Sequence, residues 1–311
     1  MTLTNIRFPE DNPFARIKIR QIFGWWLLLY ISIYFQVVII GYILRIKFDN
    51  GKPLYPLVTE IFEIYFFIFI MGLVWRQCRL AGIEIKYLVG KVPDRYQWLP
   101  LLGLAIASVF FSIGVFRIFY YPLSFIVPSF VEQLLRDGRN SSILMTASRS
   151  FYPGLYYLIY IIKYFAIFPI FFAFIYMAII LHRWAVKWGN FPAIIALGLL
   201  YMIPSPYSIS IIITFLIYAI LYAKTRSLAI LIVFVISRNI IILIWDLSYS
   251  PIFLDNRTGS ILEIFRSQIQ LGILFFALSA PWVIGFIYKN WSVLKGPLPY
   301  FANAAEAEKI N

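Results

Sequence analysis

Cysteine and histidine are almost missing from this chain. One cysteine, Cys78, excludes an internal disulfide and a thiolate metal cage. One histidine, His182, excludes any site that needs two imidazoles. Charge is scarce too: 13% of the 311 residues are charged, with 14 acids against 27 bases, too few to solvate the surface of an ordinary soluble domain. No Gly-x-Ser-x-Gly, His-Glu-x-x-His or Gly-rich phosphate loop occurs. Asp246 is the only aspartate at the edge of an apolar run, which excludes a paired-aspartate protease site.

Apolar surface is what the chain has in excess. It is 62% hydrophobic and 20% aromatic, with a mean hydropathy of +0.82, the composition of a polytopic membrane protein. Crossing ~30 Å of hydrocarbon takes about 20 residues. Runs near that length fall at 22–44, 54–75, 98–121, 154–181, 191–204, 207–223, 227–246 and 268–288. The expected fold is therefore all-α: a single membrane domain over 1–311, with a bundle of about eight transmembrane helices across 22–288 and polar tails at 1–21 and 289–311. The fifth run is short and ends at Pro204-Ser205-Pro206, so it is expected to tilt or to pair with the sixth as a tight hairpin. The first run follows a polar, basic leader and no small-residue cleavage site succeeds it, so it is expected to be a permanent span.

Lys and Arg favour the side holding both termini and the even-numbered loops by roughly two to one, which puts both ends in the cytoplasm or a stroma. The net charge of +13 does not imply nucleic acid, because the bases sit in short loops where anionic lipid and topology account for them. The densest group, within 76-RQCRLAGIEIKYLVGKVPDRYQW-98, reads as an amphipathic connector on the inner surface.

Glu60, Glu63, Lys163 and Arg238 fall inside the apolar runs. Each costs at least ~2.5 kcal/mol at the bilayer centre if unpaired. Counted from the outer ends of their spans, Glu63, Lys163 and Arg238 lie about nine residues in, ~13 Å deep at 1.5 Å per residue, with Glu60 a little shallower. Two acids and two bases in one layer form a candidate buried polar network, either an ion-pair set that fixes packing or a pocket for a lipid headgroup, a pigment or a partner helix.

A further pattern lies in the connectors. Arg79-Leu80-Ala81-Gly82-Ile83 feeds the third span. The fourth, 169-PIFFAFIYMAIILHRWAVKWG-189, closes on Leu181-His182-Arg183-Trp184 and Lys187-Trp188-Gly189, and Lys224-Thr225-Arg226-Ser227-Leu228 opens the seventh. Over about 76–245 this arrangement resembles the CPBP family, the CAAX-protease-like and bacteriocin-processing intramembrane proteins. The resemblance implies Glu-Glu-x-x-x-Arg on the fourth span, Phe-x-x-x-His on the next and His-x-x-x-Asn or Asp on the seventh. Laid in register, the glutamates fall on Phe172 and Ala173, the arginine on Met177, the second motif on Tyr201 and Ser205, and the third on Val235 and Asn239. Only Asn239 keeps the residue type, and Tyr201 is a near match.

Proteolysis of the kind the resemblance implies needs a carboxylate base and imidazoles in a site that lipid keeps dry. These positions supply neither, so the chain is expected to be a catalytically inactive relative without catalytic residues, metal or cofactor, although a bound lipid or pigment is compatible with the charged layer. His182, beside Arg183 at the end of the fourth span, fits an interfacial role, and Cys78 an ordinary thiol. Two functions then compete. One is a scaffold, subunit or assembly factor whose partners are membrane lipids and other integral membrane proteins. The other is a transporter or a lipid- or pigment-handling protein that uses Glu60, Glu63, Lys163 and Arg238, against which stands the absence of an inverted repeat. Ile, Phe, Tyr and Asn usage points to an AT-rich genome, and the CPBP resemblance implies a bacterial inner or thylakoid membrane. Cysteines introduced at residues 140 and 187 are expected to react with an impermeant thiol reagent from opposite faces of the membrane; labelling from one face overturns this topology.

Overall fold

The computed structural model describes residues 12–43, 55–140, 142–150, 152–202, 210–254 and 260–309, which contain helices and no strand. This follows from the sequence: in hydrocarbon a helix bonds its own N–H and C=O groups, whereas an open strand cannot. The elements are α1 (Ile19–Ile43), α2 (Tyr55–Leu80), α3 (Ile85–Val89), α4 (Trp98–Ile126), α5 (Pro128–Asn140), α6 (Ile143–Ser148), α7 (Pro153–Trp188), α8 (Asn190–Met202), α9 (Ser210–Thr225), α10 (Leu228–Leu254), α11 (Ile261–Ser267), α12 (Ile269–Asn290) and α13 (Pro299–Glu308). Among the described residues five helices, α2, α4, α7, α10 and α12, are long and apolar enough to cross a membrane. The runs expected at 191–204 and 207–223 form the shorter α8 and α9. The run at 22–44 lies on α1, whose 25 residues pack beside α2.

The 36-residue α7 occupies the centre, with 61% of its most apolar stretch buried against 22–44% for the other four spans. Over Lys163–Ile167 and Phe172–Ile180 it is wound more widely, as a π-helix. On one flank α4 and α12 approach closely because both carry glycine at the crossing. A Cβ on Gly114 would stand 2.7 Å from the backbone N of Phe276, and one on Gly272 would stand 2.6 Å from the Cβ of Arg117. Small residues serve this purpose where lipid removes the hydrophobic drive for helices to associate.

At one end of the bundle the two described chain ends meet. Phe14 stacks on His182, ring centroids 4.9 Å apart, and meets Tyr300 edge-on at 5.0 Å. Residues expected to be tails are therefore docked where they are described: Phe14 is 0% exposed and Leu298 3%. The connector 76–98 is likewise held rather than merely lying on a surface. The hydroxyl of Tyr222 donates to Leu88 O (2.8 Å), and Asn303 Nδ2 donates to Tyr87 O (2.8 Å) and Arg226 O (3.0 Å). Burial pushes the Tyr300 hydroxyl above its ordinary pKa, so it remains a phenol, and its oxygen accepts from the N–H of Glu84 at 3.4 Å.

At the other end, 18 residues and roughly 27 Å further along α10, three short helices form a roof. On α5, Val131 and Leu134 turn down onto Tyr120, Leu262 and Phe265, while Glu132 and Arg136 pair at 2.6 Å on the outward face. Ser142 caps α6 through Met145 N–H, and Ser260 with Glu263 closes a capping box on α11. Arg266 fastens α11 to α4 by donating to the hydroxyl of Ser124 at 3.1 Å and lying 4.2 Å from the Phe125 ring centroid.

The connector depends on Gly90. Its φ is +64°, and an added Cβ would fall 1.8 Å from Arg226 O, itself in a left-handed residue with φ 53°. Gly90→Ala is expected to destabilise the folded protein by about 1–3 kcal/mol. Gly103→Ala, on α4 with nothing within 4 Å of the new methyl, is expected to be neutral or mildly stabilising. Thermal unfolding in one detergent measures both.

Candidate functional site

A cavity of about 890 Å³ lies among α4, α7, α9 and α10 beneath the roof of α5, α6 and α11. Much of its wall is aromatic or aliphatic, including Phe168, Phe172, Phe215, Val235 and Ile242. Its polar lining comes from Ser112, Thr214, Asn239 and the tyrosines Tyr164, Tyr201 and Tyr218, with the cations Arg117, Arg139 and Arg238 and the acids Asp137 and Asp246.

Arg238 is 9% exposed on α10. It donates through Nη1 to the Tyr218 hydroxyl and lies 5.5 Å from the Tyr218 ring centroid. Its Nε–H has no acceptor, and it makes no ion pair among the described residues. One turn-neighbour on, Asn239 Nδ2 donates to Tyr164 O at 2.7 Å, inside the first π-wound stretch of α7. Arg117 is anchored to Gln268, donating to its O at 3.3 Å and its Oε1 at 3.1 Å. Asp246 Oδ2 accepts from Ile143 N–H at 3.0 Å and so ties α10 to the start of α6.

The positions laid out by register converge in part. Phe172, Tyr201, Val235 and Asn239 line the cavity together, with the Phe172 and Tyr201 rings 6.1 Å apart. Ala173 and Met177, at 0% and 1% exposure, are packed within α7's core rather than lining it. Ser205 lies outside the described residues. These four positions thus present phenyl, phenol, isopropyl and carboxamide groups, none of which is a general base near neutral pH, and the carboxylates of the lining are those of Asp137 and Asp246. Together with Arg238 the four positions can exclude water and hold an acceptor.

The four-charge layer separates into two sites. Lys163 Nζ pairs with Glu60 Oε2 and, at 2.8 Å, with Glu63 Oε2, and it lies 4.6 Å from the Tyr164 ring centroid. The Tyr156 hydroxyl donates to Glu60 Oε1 at 3.4 Å. Lys163 is 3% exposed and Glu60 9%, whereas the Glu63 side chain keeps 47% of its surface. Arg238 takes no part in this network. Helical winding explains the split: Lys163 and Tyr164 are neighbours in sequence, and successive side chains leave a helix in different directions. Lys163 turns to α2, while Tyr164 faces the cavity and α10.

His182 is fully buried rather than interfacial. Its Nε2 accepts from Tyr300 N–H at 3.3 Å, which leaves the proton on Nδ1 to face Met177 O at 3.3 Å. Cys78 is fully buried as well. Among the described residues no three His, Cys, Asp or Glu side chains are grouped so as to hold a metal. Arg117, at 5% exposure, is a cavity residue that sequence reading passed over, although its charge inside the run 98–121 was a visible signal. Tyr218 and the roof helix α5 carried no such signal, since an interior tyrosine and an amphipathic loop segment are ordinary features of a membrane protein. Compared with protein-family models, curated proteins and solved structures, the chain matches none.

Removing Lys163 leaves two carboxylates facing each other. Lys163→Met is expected to cost about 3–5 kcal/mol, and Lys163→Met with Glu60→Gln and Glu63→Gln to recover much of that loss. Arg238→Leu and Glu63→Leu do not share a partner, so their costs should add to within about 0.5 kcal/mol. Unfolding free energies of the single and combined variants decide both points.

Proposed function

We propose that this chain is a non-catalytic, CPBP-like integral membrane protein that works by binding, as a scaffold, subunit or assembly factor of a membrane-protein complex. The observation that carries this reading is the cavity wall, where Phe172 and Val235 stand at positions for which the resemblance implies a carboxylate and an imidazole, with Tyr201 beside them at the position of the family's phenylalanine. In this reading α1 and the α8–α9 hairpin join the five long spans to make about eight crossings. Both termini face the cytoplasm or stroma of a bacterial inner or thylakoid membrane.

Glu63 supports a partner within the membrane. Its side chain keeps 47% of its surface although Oε2 pairs with Lys163, and on the other side of α2 Ile61, Tyr65 and Ile68 form an exposed apolar face. A carboxylate in that position is costly against lipid and suits a donor on a neighbouring helix. One observation favours the second reading, a lipid- or pigment-handling protein: the partly unsatisfied Arg238 in a roofed cavity. That reading then centres on the cavity and not on the four-charge layer.

Affinity purification from mild detergent is expected to recover the protein in stoichiometric association with other integral membrane proteins. Glu63→Leu is expected to release them while leaving the folded yield of this chain largely intact, because Glu60 still neutralises Lys163. Cleavage of a membrane substrate that disappears on changing Phe172, Val235 or Asn239 would overturn the non-catalytic reading. A monomer with no associated protein would remove the scaffold.

A further inference from the structure

The geometry points to the roofed cavity as the binding site of an amphiphile with one anionic headgroup and a single apolar tail, its headgroup held by Arg238. This rests on the non-catalytic reading above, in which the ligand is held and not transformed. A guanidinium inside a membrane span normally faces a counter-charge or a ring of acceptors. Arg238 has neither: among the described residues its one hydrogen-bond partner is the Tyr218 hydroxyl, and its Nε–H lacks an acceptor although the side chain is only 9% exposed. The free Nε edge is the one that carboxylates and phosphates engage with two parallel hydrogen bonds, strengthened where water is scarce.

Charge favours the anion. Three cations line the cavity against two acids, Asp137 and Asp246, and Asp246 already accepts from Ile143 N–H. A cationic headgroup would meet repulsion at Arg238. The rest of the wall identifies the tail: Ile113, Phe168, Phe215, Val235 and Ile242 offer dispersion contact and no polar group. A volume of about 890 Å³ is near the top of the roughly 300–1,000 Å³ range of small-molecule pockets. It suits one chain rather than a two-tailed lipid. A fatty-acid carboxylate and a lysophospholipid phosphate share this chemistry, and so does a free inorganic anion without the tail.

The test uses the full-length protein in dodecyl maltoside, with thermal unfolding and displacement of radiolabelled oleate as readouts. The probes are oleate, oleoyl lysophosphatidate, uncharged oleamide and inorganic phosphate. Oleate or lysophosphatidate should raise the unfolding temperature, and oleamide should bind at least about tenfold more weakly, the value of one lost charge-assisted contact. Arg238→Gln should bring the anionic amphiphile down to the level of oleamide, and Arg238→Lys should lose less. Where Arg238→Gln fails to fold, the comparison of oleate with oleamide on the unaltered protein decides. Equal binding of oleate and oleamide, phosphate alone binding as tightly as either amphiphile, or no binding of any probe overturns the site. Charge-selective binding with a chemically altered ligand recovered afterwards supports the site and overturns the non-catalytic reading.

Discussion

Hydrocarbon gives backbone and charge nothing to bond with, and the long central helix α7 meets that constraint twice over. From Phe171 to His182 every residue but Tyr176 is buried, so its groups there are satisfied within the helix or by neighbouring protein. Where it widens into π-turns at Lys163–Ile167, the carbonyl of Tyr164 is engaged by Asn239 of α10. The same turn sends Lys163 the other way, into the two carboxylates of α2. One local change in winding thus joins α2 and α10 to opposite sides of one helix, and the perimeter helices are arranged around that join.

The two ends of the bundle use different chemistry. At the end where Phe14 meets Tyr300, a fully buried imidazole, that of His182, bridges Met177 O and Tyr300 N–H under the ring of Phe14. Connector, loop and C-terminal helix interlock through carbonyls donated to by Asn303 and Tyr222, a set of backbone contacts that leaves little room for movement. At the roofed end the short helices are held by caps and by Arg266, and one amphipathic helix covers the cavity with its apolar face. Fewer residues are fully buried there than around Phe14, His182 and Tyr300.

Charge placement separates structure from recognition. Lys163 is compensated within the chain, and a compensated buried pair holds helices in register without attracting a ligand. Glu63 keeps half its surface while it pairs with Lys163, and Arg238, which lines the cavity, keeps an Nε–H without an acceptor. Only Arg238 departs from the rule that buried polar groups find partners within the fold.

Membrane character and helical class were legible in the sequence, and so was the need of the acids of α2 for a basic partner, because hydropathy and the cost of a lone charge in lipid depend on residue type and spacing alone. Which base would answer them, Lys163 or Arg238, was not. What depth along a span does not specify is azimuth. Lys163 leaves α7 toward Glu60 and Glu63, whereas Arg238 on α10 faces the cavity and Tyr218. Burial of His182, docking of the chain ends and the roof over the cavity rest on contacts between residues more than a hundred positions apart, such as Tyr300 with His182 and Ile143 with Asp246. Local composition carries no record of those pairings, and only the packed bundle decides them.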